Sequence, residues 1–146
     1  VYIYSKDTSG TSTDPQVIND TNIRAIGKNN YGIYSSGYAI NNGNMDFQSG
    51  TGNIGVYSIK AGTIENKKRA DGTGGVITVG GSVPVKDEYG IGMAAGYTWT
   101  KKDLEKPVSE RPEQTTGNII NRGTINVNGE YSLGMYGSGS GTTVDN

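Results

Sequence analysis

There is no cysteine and no histidine in this chain of 146 residues. Without cysteine it carries neither a disulfide framework nor a thiolate zinc site, and without histidine it lacks the commonest general base and metal ligand. Large classes of enzyme drop out on those two absences. Proline occurs four times, phenylalanine and tryptophan once each, and apolar residues make up 32% of the chain, which is little for a globule that must bury one central core. Neither sign of charge is in excess. Thirteen basic against 14 acidic residues leave a net charge of −1, so no global field recruits nucleic acid or an anionic membrane. No apolar run approaches the roughly 18 residues of a membrane span. The opening VYIYSKD has none of the features of a signal peptide and begins in mid-pattern, so the chain reads as a segment cut from something longer.

What is present is glycine, 24 residues of it, with ten tyrosines and abundant Asn, Thr and Ser. That composition favours many short strands separated by tight turns over long helices. Four copies of one pattern lie along the chain: Val17 to Ala25 followed by Tyr31-Gly32-Ile33-Tyr34; Ala39 to Phe47 followed by Ile54-Gly55-Val56-Tyr57; Ile64 to Lys67 and Gly75 to Val79 followed by Tyr89-Gly90-Ile91; and Ile119 to Val127 followed by Tyr131-Ser132-Leu133. Val1 to Tyr4 reads as the tail of an earlier copy. A shared asparagine falls at Asn19, Asn41, Asn66 and Asn121, in steps of 22, 25 and 55. Removing insertions of seven, six and about 20 residues from the last step returns 22. A period near 22 with alternating apolar residues is too short for helical repeats and predicts one coil of a β-solenoid.

Stacked coils make the core a column, with Ile23, Met45, Ile77 and Ile125 lining one continuous shaft. Ile77 and Val79 face inward and Thr78 outward by the period-2 rule. Ile33 faces the bore, its two tyrosine neighbours do not, and Gly32 permits close approach of an adjacent coil. The recurring asparagines are expected at corners, in the left-handed region, bonded to their own backbone and to one another as a ladder. This structural role is preferred over metal or substrate binding. Asn19-Asp20-Thr21 matches a glycosylation acceptor by coincidence of that corner, and no Gly-Gly-x-Gly-x-Asp nonapeptide supports calcium. No metal site or cofactor is expected.

Function in a solenoid usually sits on excursions from the coils. Four are expected, at residues 5–16, 67–74, 80–88 and 97–116. The first and last leave the same corner and so lie on one side. Segment 97–116 holds the only tryptophan, eight charges and two prolines that argue against a helix through it. Three readings of it stay open. It is a solvated loop; or a binding loop, with Tyr97 and Trp99 offering flat apolar faces and Lys101, Lys102 and Arg111 directional donors; or a catalytic loop using two of Asp103, Glu105, Glu110 and Glu113. Lys67-Lys68-Arg69 is the only basic run and reads as a solvated corner rather than an anionic-glycan patch. Residues 83–88 read as a connector. The strand faces carry no Asp, Arg and Lys cluster of the pectate-lyase kind.

Gly117 to Gly141 (GNIINRGTINVNGEYSLGMYGSGSG) and Gly43 to Lys68 (GNMDFQSGTGNIGVYSIKAGTIENKK) resemble the passenger repeats of the large outer-membrane autotransporter adhesins of fusobacteria. The likeness covers most of the chain outside the excursions. It implies a right-handed parallel β-helix, export by type V secretion through a C-terminal barrel that would be the only membrane tether, and a place at the cell surface. It also implies attachment to host cells or other bacteria through a glycan or protein receptor. No catalytic residue carries over, since the shared motif is structural. The expectation is an adhesin passenger segment that is not an enzyme, with a purely structural stalk and a polysaccharide-degrading β-helix as the alternatives.

Overall fold

Alternating side chains favour extended backbone, and Asn, Gly and Ser turns end each strand within five residues. The computed structural model describes residues 17–60, 62–86 and 88–146. The first coil is β1 (Val17–Asn19), β2 (Ile23–Arg24) and β3 (Tyr31–Ser35); the second is β4 (Ala39–Asn41), β5 (Asn44–Phe47) and β6 (Ile54–Ser58). The third is β7 (Thr63–Lys67), β8 (Val76–Val79) and β9 (Ile91–Ala95), and the fourth β10 (Asn118–Arg122), β11 (Thr124–Val127) and β12 (Leu133–Gly137). A further strand, β13 (Thr143–Asp145), lies on β10. Equivalent strands of successive coils pair in parallel, giving three sheets ordered β1-β4-β7-β10-β13, β2-β5-β8-β11 and β3-β6-β9-β12. The chain is a parallel β-helix, as the repeat predicts.

The core is the expected shaft. Ile23, Met45, Ile77 and Ile125 stand in one register line, and Met45 and Ile77 are fully enclosed. From the neighbouring sheets Ile64, Ile119, Val56 and Met93 close on the same column. Ile77 and Val79 are buried while Thr78 is half-exposed. Burying an aliphatic side chain of this size contributes roughly 1.5–3 kcal/mol, so a narrow column of them can hold a chain poor in apolar residues.

Beside that column runs the asparagine ladder. The Nδ2 of Asn19 donates to Oδ1 of Asn41 at 2.8 Å, Asn41 to Asn66 at 2.8 Å, and Asn66 to Asn121 at 2.9 Å. Asn121 continues to Asn146 at 2.7 Å, a rung the repeat alignment does not contain. The second amide proton is used as well. Asn19 bonds Thr21 O, Asn41 bonds Gly43 O, and Asn66 reaches Gly75 O across the seven-residue insertion, so Gly75 takes the place of Gly43. One expectation is corrected: these asparagines are not left-handed. The non-glycine residues with positive φ among those described are Asn29 and Tyr131; the ladder residues are extended strand ends with inward side chains. Two further corners have their own polar caps. Buried Asn53 donates to Gly27 O and accepts from the Asn30 backbone, and enclosed Ser35 and Ser58 bond the turns that follow them.

The third sheet carries a second correction. Tyr31 pairs with Ile54, then Ile91, then Leu133, so Tyr89 and Tyr131 lie two residues ahead of the strand positions the alignment assigns them. The true counterparts of YGIY are IGVY, IGMA (Ile91 to Ala94) and LGMY (Leu133 to Tyr136). A two-residue slip preserves which face each side chain takes, so alternation alone cannot detect it. The inward mark of this sheet is a glycine followed by an apolar residue. A Cβ on Gly32 would lie 2.8 Å from the Met45 sulfur and 2.9 Å from Phe47, and one on Gly55 would lie 2.6 Å from Ile77 Cγ2 and 2.5 Å from Gly92 O. These glycines let the third sheet close onto the second across the shaft, and they break strict alternation so that both flanking tyrosines of YGIY point outward.

The excursions at 67–74, 80–88 and 97–116 leave between β7 and β8, β8 and β9, and β9 and β10. The excursion at 5–16 and the tail Val1 to Tyr4 lie outside the described residues.

Replacing Asn66 by alanine leaves an Nδ2 proton of Asn41 without its acceptor, and Asn121 Oδ1 and Gly75 O without the bonds donated to them, a buried polar group so orphaned costing about 1–3 kcal/mol. The urea midpoint of Asn66→Ala should fall by an amount equivalent to about 2–4 kcal/mol; an unchanged midpoint would mean the ladder holds nothing. Gly55→Ala should lower stability by about 1–3 kcal/mol through overpacking against Ile77, and thermal melting checks it.

Candidate functional site

The outer face of the third sheet gathers aromatic side chains because the repeat writes Tyr there coil after coil. Tyr34 and Tyr57 are register partners with ring centroids 5.4 Å apart, and Tyr31 packs edge-on against Tyr34 at 5.3 Å and beside Tyr57 at 5.9 Å. Burial, with Tyr34, Tyr31, Tyr97 and Tyr136 around it, pushes the Tyr57 hydroxyl from 10.0 up to about 12. It therefore stays protonated at any physiological pH.

Excursion 97–116 forms the opposite wall. An antiparallel bridge between Tyr97 and Thr115 closes its base. Its single helical turn, α1 (Lys101–Leu104), opens with a capping box: Thr100 accepts from the Asp103 backbone while the Asp103 carboxylate accepts from Thr100 N at 2.9 Å and its hydroxyl at 2.7 Å. The same carboxylate accepts from the Tyr97 hydroxyl and, on its other oxygen, from Lys106 Nζ at 3.0 Å. Asp103 is buried at the centre of this knot, and the Tyr97 hydroxyl first, then Thr100 and Lys106, hold its carboxyl well below the ordinary 3.8. The prolines act as expected at the far side, since the helical turn stops before Pro107 and a 3₁₀ turn spans Val108–Glu110. Trp99 donates its indole N–H to Pro112 O at 2.8 Å, and the Arg111 guanidinium stacks 5.0 Å from the indole centroid. Arg111 also donates to Leu104 O and Lys106 O. The segment is a compact loop held by its own hydrogen bonds, with the buried Thr115 hydroxyl left without a partner among the described residues.

Between wall and sheet lies a cleft of about 480 Å³, lined on the sheet side by Tyr31, Ile54, Tyr57, Ile91, Ala94 and Tyr136 and on the loop side by Tyr97 to Thr100. Such a volume is ordinary for a ligand site. A second cavity of about 350 Å³, lined by Tyr89, Ile91, Leu133 and Tyr136, adjoins it through Ile91 and Tyr136. Of the five residues singled out in the sequence, Tyr97 and Trp99 line the cleft. Lys101 and Lys102 are exposed on the helical turn and do not line it; Arg111 supports Trp99 from within the loop, with its Nε and Nη2 engaged by backbone carbonyls. Tyr31, Tyr57 and Tyr136 were missed as site residues, although their recurrence before each turn is the signal that places them. Of the carboxylates once open to a catalytic reading, Asp103 is locked in its capping box and Glu113 faces Lys60 at 3.8 Å. Among the described residues, no Asp, Glu, Lys or Arg lines the cleft and no cluster of potential metal ligands occurs.

A family model described as the BigA third pectate lyase-like domain matches residues 2–146. No curated protein and no solved structure matches the chain. The match supports a pectate-lyase-like β-helix passenger domain, as read from the repeats, without singling out the fusobacterial adhesins.

Trp99 is the one tryptophan, so its emission reports the wall. A carboxyl whose folded value is lowered stabilises the loop above 3.8, and that contribution fades as pH falls below it. Emission should therefore hold steady from neutral pH to about the ordinary carboxylate value and change only under stronger acid. Asp103→Asn should red-shift it at neutral pH with the far-UV spectrum intact, and an unshifted spectrum would show that the carboxylate does not seat the loop.

Proposed function

Because this chain belongs to the BigA third pectate lyase-like domain family, we propose that it is a cell-surface β-helix passenger segment that attaches its bearer to host cells or other bacteria, without catalysis. BigA itself is an autotransporter-like adhesin. The observation that carries the reading is the cleft: an aromatic surface of stacked tyrosines faced by a loop that is held rigid by its own hydrogen bonds. Exposed aromatic surface of this kind supplies most of the binding energy in recognition sites, because large rings are buried at small entropic cost. A plain stalk has no use for a 20-residue insertion with an internally capped turn, whose ordering costs conformational entropy.

Two features favour binding over cleavage of a polymer. Hydrolysis of a glycosidic bond canonically uses two carboxyl groups about 5–9.5 Å apart across the substrate, and among the described residues the cleft lining holds none. The opposite charges on the second sheet, Arg24 and Asp46, pair with each other at 3.6 Å and are exposed.

The test is a graft. Replacing residues 98–114 by a short Gly/Ser turn, which keeps the Tyr97–Thr115 bridge, should leave the melting temperature close to that of the parent and reduce attachment of protein-coated beads to epithelial or bacterial cells severalfold. Full attachment by the graft would reduce this segment to a spacer. Release of reducing ends from polygalacturonate or another polysaccharide by the parent chain would overturn the non-catalytic reading.

A further inference from the structure

The outward column of the third sheet reads Tyr34, Tyr57, Ala94, Tyr136, each the direct partner of the next. Three coils place a tyrosine there and the third places a methyl group. Ala94 breaks an otherwise continuous column of rings; it is itself 2% exposed, covered by the side chains around it, and it forms part of the cleft floor. Two strand spacings, about 9.6 Å, separate the Tyr57 and Tyr136 positions. A saturated six-membered ring in van der Waals contact with an aromatic ring lies about 4 Å from it, so one such ring held over the cleft floor is within reach of both tyrosines.

The polar groups around the gap are hydroxyls. Those of Tyr31, Tyr57 and Tyr136 make no hydrogen bond to another described residue, while Thr98 and Ser138 share one at 2.8 Å and keep spare capacity on the rim. Each is at once donor and acceptor, and none is charged. This complements a ligand whose faces are apolar C–H and whose edges are hydroxyls. Among the described residues, no lysine or arginine in the lining would meet an anionic ligand. An aromatic side chain of a protein partner would fill the gap but leave the ring of hydroxyls without matching groups.

We propose that the cleft above Ala94 seats one ring of an uncharged oligosaccharide against the exposed parts of Tyr57 and Tyr136, and that the adjoining cavity past Tyr136 seats the next sugar. The assignment rests on the cleft being the adhesive site and names the class of receptor it takes. The longer ligand follows from the geometry, because Ile91 and Tyr136 belong to both cavities and Tyr136 offers a surface to each.

The decisive variant fills the gap. Tyr34 and Tyr57 already pack as neighbours in this column, but Ala94 is 2% exposed, so Ala94→Tyr must carry its ring outward into the cleft and should fold with a lowered melting temperature. On an array of uncharged hexose and N-acetylhexosamine oligosaccharides, the same glycans capped with sialic acid or sulfate, and the single sugars, the parent should bind uncharged members of two or more units. Ala94→Tyr and the exposed-site variant Tyr136→Ala should each lose at least tenfold. Should Ala94→Tyr fail to fold, Tyr136→Ala alone carries the comparison. Bead attachment to cells, before and after periodate oxidation of surface sugars, separates this inference from the adhesive reading. Attachment lost in the variants but kept after periodate overturns the sugar and leaves adhesion through the cleft. Array binding without attachment to any cell keeps the sugar and overturns adhesion. Preference for the sialylated or sulfated members, or binding untouched in Tyr136→Ala and any folded Ala94→Tyr, overturns the proposal.

Discussion

The structure depends on equivalent residues of successive coils lying directly on top of one another, and the buried asparagine ladder is the interaction that enforces it. Each side-chain amide donates to the next coil and to its own turn. A slip of one residue would bring an outward residue to the ladder position and leave buried amides unpaired, costing more than the roughly 1 kcal/mol net value of each bond made. The apolar shaft resists the same slip, but Ile, Val and Met substitute for one another with little loss. An amide chain does not tolerate such exchange. The ladder therefore specifies register, while the shaft supplies most of the stabilising burial.

Once register is fixed, the surface becomes a table whose columns are set by the repeat and whose entries vary by coil. On the third sheet a column of tyrosines is the default, and a coil that departs from it lowers the floor at a known height along the column. Ala94 is that departure. The consequence for function is that a small side chain, which has no chemistry of its own, shapes the cleft more than any of the charged residues on the adjoining loop. The glycine line at Gly32, Gly55, Gly92 and Gly134 works on the inner side of the same strands, drawing the sheet toward the shaft and turning the neighbouring tyrosines outward.

Much of this was legible in the residues. The period, the four-membered apolar line and the asparagine ladder follow from the spacing of Asn19, Asn41, Asn66 and Asn121, because identical residues at a constant step must meet when a chain coils. The insertion lengths were legible too, as the Asn66 to Gly75 bond demonstrates. What was not legible has two physical causes. The third-strand register was read from Tyr89 and Tyr131, and a two-residue slip leaves the inside-outside pattern unchanged, so the gap at Ala94 stayed hidden in an alignment that put Tyr and Gly in its column. The long excursion was open to a solvated reading because mixed charge with proline describes composition, whereas its order comes from Thr100, Asp103, Trp99, Arg111 and Pro112 meeting in space. The short capping signature Thr100-x-x-Asp103 was the one local clue.

The insertions at 67–74, 80–88 and 97–116 all fall between β7 and β10, that is, on the third coil and its exit to the fourth. The ladder crosses them unbroken, since Asn66 bonds Asn41 before and Asn121 after at the same distances as the uninterrupted rungs. A coil can thus be lengthened at its corners with no penalty to stacking, provided the added segment satisfies its own backbone groups, and the 97–116 segment does so through its bridge, capping box and indole bond. The same coil is the one that drops the tyrosine. Loss of a ring without a wall would leave only a shallow dent, and a wall without the loss would face a filled column. The two together make a cleft, which is why the alanine and the long insertion are best understood as parts of one binding feature and not as separate irregularities in a repeat.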